Sequence, residues 1–292
     1  MKKIFTMLAV VLAVVSCQRE INGLPVDSNG EAAVSLNVGL PEGATRAAGS
    51  DSALGAIDNG MDMNLYDIRF ILEVYDDKGE LAKDRMVNSG DSTSTTFNFR
   101  LVPGRDYKFV VWADFVLDGS QADLHYDTTN GLRLVAIKDW TAIDESRDAY
   151  TEAVDVENYS STTQIPTIVL TRPFAKLRVV TNDIKEMISV RPATVKVNYF
   201  DTKFYTAFDA FNEEPIDQTY DGHELVVNLN EDKYTNEDPD TTGVMTLFAD
   251  YMFAKEGDRV KFTMDVVDNG GIAIPQVTFS TDIPINRNYL TT

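Results

Sequence analysis

The chain has 292 residues, of which 46 are acidic and 26 are basic, so its formal net charge at pH 7 is −20. A surface this acidic repels nucleic acids and anionic lipid headgroups, which argues against a role in binding either. The single cysteine, Cys17, excludes an internal disulfide and a cysteine-based metal site. Stability must therefore come from burial of a core, and the length is sufficient for two domains.

Residues 1–16 have the pattern of a signal peptide. Two lysines precede an apolar run, residues 4–15, that is shorter than the roughly 20 residues a membrane-spanning helix needs. The motif Val14-Val15-Ser16-Cys17 resembles the lipobox of bacterial lipoproteins, in which the cysteine thiol receives a diacylglycerol and the preceding peptide is removed. The sequence predicts an exported lipoprotein anchored at Cys17, and the alternative is a soluble secreted protein.

The next segments predict a tether, a first strand and a loop. Residues 17–30 are polar and turn-rich, as expected of a tether between a lipid and a folded body. Apolar residues alternate from Ala33 to Leu40, which predicts a strand with one buried face, and Pro41 ends it. Residues 41–64 are small and glycine-rich, so we expect an exposed loop of the kind that proteases cut.

Short strands separated by turn signals follow, which predicts antiparallel pairing. The predicted strands of this part are Tyr66–Tyr75, Thr95–Val102, Tyr107–Phe115 and Leu132–Ile137. Residues 139–163 are acidic and weakly periodic, which favours a short helix or a surface loop over a strand.

A second series of strands begins at Pro166. Its predicted members are 166–171, 175–181, 194–200, 225–229, 244–253, 259–267 and 276–281, with a helical pattern only at 183–188. Because Pro173 cannot donate to a β-ladder, we expect the chain to kink or change sheets there. A boundary near Thr171 divides the body into domains 31–171 and 172–292. Each domain is predicted to be a β-sandwich, and it stays open whether the last strand of the second one is missing.

The sequence offers no recognisable catalytic constellation. His125 and His223 stand in polar, turn-like settings and are predicted to lie on the surface, and neither has the spacing of a metal site or a catalytic triad. Acidic pairs fall in predicted turns, and the run 230–240 lacks the glycine and final glutamate of an EF-hand loop. Trp112 is predicted to be a core residue, although Trp112 and Trp140 could also form a sugar-stacking platform. We therefore predict a non-enzyme with no cofactor and no metal ligand.

Several segments resemble the Bacteroidetes fimbrillin-like proteins, the subunits of type V pili and their relatives. The resemblance is carried by residues 170–181 (LTRPFAKLRVVT), 103–114 (PGRDYKFVVWAD), the lipobox at Cys17 and the ending 284–292 (PINRNYLTT). It implies two transthyretin-like antiparallel β-sandwich domains in tandem and a scaffold role. None of these motifs is catalytic.

The resemblance also implies a mode of assembly. In that family the lipoprotein reaches the outer membrane, an arginine-specific protease cuts the first domain's opening loop, and release of the first strand leaves a groove. The groove accepts a strand from a neighbouring pilus subunit. In this chain Arg46 and Ala47 occupy the corresponding place, and the alternative is that Arg46 is an ordinary loop arginine. Other implied contacts are with the outer membrane through Cys17 and with a host or bacterial surface receptor.

One feature departs from the family pattern. The family's Asn-Tyr motif is normally followed by a further strand that acts as the donor, whereas this sequence stops at Thr292. Either the sequence is truncated or the subunit accepts a strand without donating one, as a terminal or anchoring subunit would. A surface lipoprotein that does not polymerise and binds carbohydrate or calcium remains the alternative.

Overall fold

In the computed structural model, the described residues are 26–41, 52–53, 63–141, 144–186, 191–216, 221–229 and 243–292. The predicted lipidation residue Cys17 and the predicted processing residues Arg46 and Ala47 lie outside these ranges. So do most of the predicted loop 41–64 and the acidic run 230–240.

The fold is all-β, as the sequence predicts. The described residues form nineteen strands and one short 3₁₀ turn, Glu145–Arg147. The strands are β1 Ala32–Gly39, β2 Ser52–Ala53, β3 Tyr66–Asp76, β4 Met86–Gly90, β5 Ser94–Leu101, β6 Tyr107–Leu117, β7 Tyr126–Asp127, β8 Val135–Ile137, β9 Ala149–Val156, β10 Ile168–Val169, β11 Phe174–Thr181, β12 Pro192–Lys203, β13 Ala207–Asp209, β14 Glu214–Ile216, β15 Asp221–Asn228, β16 Met245–Phe253, β17 Arg259–Asp268, β18 Ala273–Pro284 and β19 Tyr289–Thr291.

Two sheets share a core in the N-terminal half, residues 26–171. The first has the order β10-β1-β5 and is called the β1 sheet; the second has the order β4-β3-β6-β9 and is called the β6 sheet. Inward-facing residues of both sheets form one apolar cluster, in which Leu36 of β1 and Phe109 of β6 are fully buried. The alternation in β1 follows from this arrangement, because only one of its faces is covered.

The C-terminal half, residues 172–292, repeats this layering with two further sheets. Their orders are β16-β11-β19-β2 and β15-β12-β17-β18. Side chains from both sheets, among them Val195, Phe248 and Phe262, form a second apolar cluster. The short strand β2 belongs to this half although it lies near the N-terminus, because it pairs with β19.

A third apolar cluster joins the two halves. It combines Trp112 and Ile71 of the β6 sheet with Phe174, Phe208 and Phe253 of the C-terminal half. The β6 sheet is thus covered on both faces, which explains why β3 and β6 are almost continuously buried. A small sheet of order β14-β13-β8-β7 also contains strands from both halves. The prediction that Trp112 is a core residue is confirmed, since its exposed fraction is 0%.

The chain changes sheets at the predicted place. β10 belongs to the β1 sheet, whereas β11 belongs to the sheet of order β16-β11-β19-β2, so the chain leaves the β1 sheet across Arg172-Pro173 as expected. The domain bounds 31–171 and 172–292, the two sandwiches in tandem and their transthyretin-like topology stay predictions.

The expectation of a helix or surface loop at 139–163 is wrong for residues 149–156. Residues 149–156 form β9, which pairs along its whole length with β6. The strand is not recognisable in the sequence because acidic residues, among them Glu152 and Asp155, interrupt its apolar pattern. The predicted helix at 183–188 is also absent from the residues described there, because 183–186 form a turn.

Candidate functional site

The first strand, β1, has one apolar face and one polar face. Ala32, Val34, Leu36 and Val38 point into the core, and none of them exposes more than 6% of its surface. The residues between them are small or polar and face outward. Burying each of the larger side chains stabilises the fold by about 1.5–3 kcal/mol, so the strand contributes substantially to the core.

The two edges of β1 are held unequally. Every residue from Ala32 to Gly39 pairs with a residue of β5, in an antiparallel register that runs from Leu101 to Ser94. On the other edge, the ladder to β10 covers only Val38 and Gly39. Near the start of that edge, the Tyr159 hydroxyl donates to the carbonyl of Ala33 at 3.3 Å. A strand with one complete ladder is removable at lower cost than a strand with two.

Charged side chains fasten the beginning of β1. The ammonium of Lys83 lies 2.5 Å from a carboxylate oxygen of Glu31, and the guanidinium of Arg100 lies 2.8 Å from Asp27. The backbone N–H of Glu31 donates to Asp27 and helps to lower the pKa of that carboxyl. These contacts are partly exposed to solvent, so they contribute little compared with the core.

Loss of β1 would uncover two features together. The inward faces of β3 and β6 would lose their cover, and β5 would present a row of unpaired N–H and C=O groups. Both are costly to leave in water, and both are satisfied by a new strand with the same alternation of apolar residues. The β1 position is defined as the space between β5 and β10 that β1 fills. It combines an apolar floor with one complete edge of backbone hydrogen-bonding groups.

A second feature, the junction ion cluster, holds the two halves together. The turn at 144–148 supplies Glu145, Arg147 and Asp148 from the N-terminal half. Lys176 lies 2.7 Å from Glu145, and Arg147 lies 3.2 Å from Asp250. The remaining pair joins Arg172 to Asp148, with Nε 2.7 Å from Oδ1.

Burial changes the acid–base behaviour of this cluster. Burial raises the pKa of Asp250 to about 6, against the opposing effects of Arg147, Trp140 and Tyr199. Burial lowers and Asp148 raises the pKa of Arg172, and the net shift is upward. Because these charges are buried and paired, removal of one partner costs far more than at the surface.

The prediction that His125 lies on the surface is wrong. Its side chain is 6% exposed, with Nε2 2.8 Å from the hydroxyl of Ser146 and Nδ1 3.2 Å from Asp139. This serine, histidine and carboxylate resemble a triad in composition. However, Ser146 is only 2% exposed and its hydroxyl donates to Asp144, so it is closed to a substrate. The contacts give both ring nitrogens of His125 a partner, so its burial is accounted for by a structural role.

His223 is also partly buried. Its ring lies 4.7 Å from that of Trp140, centroid to centroid, and burial lowers its pKa to about 4. Trp140 in turn donates from Nε1 to Asp250 at 3.1 Å. Trp140 thus packs against the C-terminal core, and it does not share a platform with Trp112, which is enclosed in the third cluster.

The sequence profile of one protein family matches residues 26–292, nearly the whole chain after the predicted signal peptide. The chain belongs to the DUF6562 family. That family is described as one of unknown function. No curated protein matches this DUF6562 chain.

Three solved structures from Bacteroides are similar to this chain. A candidate cell adhesion protein of Bacteroides eggerthii has 12% identity and a TM-score of 0.45, over 88% of this chain and 83% of that one. A candidate adhesin of Bacteroides ovatus has 13% identity and a TM-score of 0.41, over 88% and 80%. A candidate adhesin of Bacteroides thetaiotaomicron has 12% identity and a TM-score of 0.38, over 72% of each chain.

Two features are absent from the part of this DUF6562 chain that the structure describes. Its described residues contain no group of three or more His, Cys, Asp or Glu side chains placed to hold a metal ion. No helix in the same ranges is long and apolar enough to cross a membrane.

Proposed function

We propose that this protein is a fimbrillin-like subunit of the bacterial cell surface that assembles by strand exchange at the β1 position. In this proposal a lipid on Cys17 holds the chain at the outer membrane, and cleavage between Arg46 and Ala47 separates β1 from the rest of the body. A strand from another subunit then fills the vacated position. The role is one of attachment and scaffolding, and it needs no catalytic residue.

The observation that carries the proposal is the unequal pairing of β1. The strand fills a core position completely, since Val34, Leu36 and Val38 are buried, yet most of one edge lacks a ladder partner among the described residues. Arg46 follows the end of β1 closely in sequence, so cleavage there would leave β1 attached only by non-covalent contacts. An exchangeable strand requires this combination of a complementary position and a severable connection.

The proposed processing is tested with an arginine-specific protease on the purified full-length protein. We expect a new N-terminus at Ala47, followed by loss of the β1 fragment or by formation of larger species that survive mild detergent. Arg46→Lys is the matched control, because it keeps the positive charge and removes the recognised residue. Two results would contradict the proposal: continued cleavage after residue 46 in that variant, or a cut protein that keeps its own β1 when excess β1 peptide is added.

The proposed anchor has its own test. Replacing Cys17 with serine removes the thiol that would carry the lipid, and the protein should move from the membrane fraction to the soluble fraction of the cells. Metabolic labelling with a fatty acid should mark the wild-type chain alone. Membrane retention of Cys17→Ser without label would show that another feature holds the protein there.

A further inference from the structure

The segment that joins the two halves, residues 168–177, pairs with two different strands along one edge. At its beginning, the N–H of Leu170 donates to the carbonyl of Gly39, the last residue of β1, at 2.9 Å. Farther along, the N–H of Asn288 donates to the carbonyl of Phe174 at 2.6 Å, and β19 then pairs in parallel with β11. Between Leu170 and Phe174, the partner of this edge therefore changes from β1 to the C-terminal segment that contains Asn288 and β19.

Arg172 lies where the partner strand changes, and its backbone N–H and C=O groups are already hydrogen-bonded to side chains. Its N–H donates to the side-chain oxygen of Asn288 at 3.3 Å, and its carbonyl accepts from Nε of Arg287 at 3.1 Å. The N–H of Thr171 points the other way and donates to Thr151 of β9 at 3.0 Å. In an extended chain, the backbone N–H and C=O groups of successive residues point to opposite edges. Those of Leu170 and Arg172 therefore point to the edge along which β1 lies.

Two residues keep this arrangement in place. Asn288 has a φ of 64°, in the left-handed region, and this turn aims its backbone and side chain at the joining segment. The guanidinium of Arg287 is also held by Glu213, 3.2 Å from Nη2 to Oε1. A strand extended beyond the position of Gly39 would have to displace both side chains.

We infer that Arg287 and Asn288 form a stop that limits an incoming strand to the length of β1. This inference rests on the proposed function, because it concerns the strand of a second subunit that would replace β1. The strand that fits spans the register of Ala32 to Gly39, with apolar side chains at alternate positions, and its last ladder contact is with Leu170. The stop would set the register of each subunit on the next, because a strand cannot slide past it.

Two synthetic peptides test the stop by exchange against the resident β1 in full-length protein that has been cut after Arg46. The short peptide has the sequence of residues 31–40, and the long peptide carries Val-Thr-Val-Thr after it. We expect the wild-type protein to bind both with the same Kd within about twofold, and the variant Arg287→Ala/Asn288→Gly to bind the long peptide about fivefold or more tightly than the short one. Arg287→Lys/Asn288→Asp is the matched control, because it retains a cation and an oxygen acceptor, and should behave like wild type.

The outcomes separate this inference from the proposed function. If the wild-type protein binds the long peptide fivefold more tightly, strand acceptance holds and the stop is disproved. If no form of the protein binds either peptide, the strand-exchange proposal fails and the stop fails with it. In the uncut chain, hydrogen exchange at the Arg172 amide should be faster in Asn288→Gly than in Asn288→Asp, and equal rates would also overturn the assignment.

Discussion

Arg172 and Asp148 lie against each other at the junction between the halves. Nε of Arg172 is 2.7 Å from Oδ1 of Asp148, and the side chains are 0% and 2% exposed. Tyr150 completes the group, since its hydroxyl donates to Asp148 at 2.8 Å and accepts from Nη2 of Arg172 at 2.9 Å. The pair fixes the joining segment to the turn that precedes β9.

Asp148→Asn should destabilise the protein strongly. The variant leaves the buried guanidinium of Arg172 without a compensating charge, and the expected loss is about 3–5 kcal/mol in the free energy of unfolding, measured by urea denaturation. Glu224→Gln is the matched control, because Glu224 pairs at 2.7 Å with Lys196 while both side chains are about half exposed. Its expected cost is about 1 kcal/mol or less. Equal losses in the two variants would contradict the importance of the junction.

The sequence predicts the strands with a clear apolar pattern better than it predicts the polar edge strands and turns. β3, β6 and β1 are recognisable because continuous or alternating apolar residues follow from burial on two faces or one. The edge strand β4 is missed, since it is half exposed and has little apolar pattern. The 144–148 turn reads as a polar loop, because a charged residue that is buried by a distant partner looks the same in sequence as a solvated one.

The candidate site divides in the same way. The β1 strand and its end at Pro41 can be read from sequence, but its unequal edges depend on pairing with distant residues of β5 and β10. The burial of His125 depends likewise on Ser146 and Asp139. No local signal in the sequence marks these contacts.

Asp250→Asn should change the pH dependence of stability. Burial raises the pKa of Asp250 from 3.8 to about 6, so between these values the folded protein holds a proton that the unfolded chain has lost. The contribution of this carboxyl to stability therefore falls as the pH rises through that window. The stability of the wild type minus that of the variant should fall by about 2 kcal/mol from pH 4 to pH 7, as measured by urea denaturation across pH. A difference that does not change with pH would show that Asp250 titrates normally.

His223→Gln should produce the opposite trend over a similar range. Burial lowers the pKa of His223 from 6.5 to about 4, so between these values the unfolded chain binds a proton that the folded protein excludes. Its contribution to stability is present above pH 6.5 and is lost as the pH falls towards 4. The wild type should therefore lose stability relative to the variant on acidification, in the same denaturation series. A loss on raising the pH instead would refute the assigned direction.

Ser146 should be structural despite its contact with His125. Because its hydroxyl is enclosed, a fluorophosphonate probe should not label the native protein. Ser146→Ala should lower the free energy of unfolding by about 1–2 kcal/mol, since Nε2 of His125 loses its buried partner. Thr129→Ala, at an exposed hydroxyl that bonds to Asp127, is the comparison and should cost less. Stoichiometric labelling that disappears in Ser146→Ala would establish a reactive serine.

Leu36→Ala should weaken the hold of β1 on the body. Leu36 is 0% exposed at the centre of the strand, so its truncation should lower the free energy of unfolding by about 2–5 kcal/mol. Ser35→Ala, on the outward face of the same strand, should change it by about 0.5 kcal/mol or less. After cleavage in the segment that follows β1, the Leu36→Ala strand should dissociate faster than the Ser35→Ala strand, which gel filtration of the cut protein measures. Equal rates of release would mean that the core contacts of β1 do not govern its exchange.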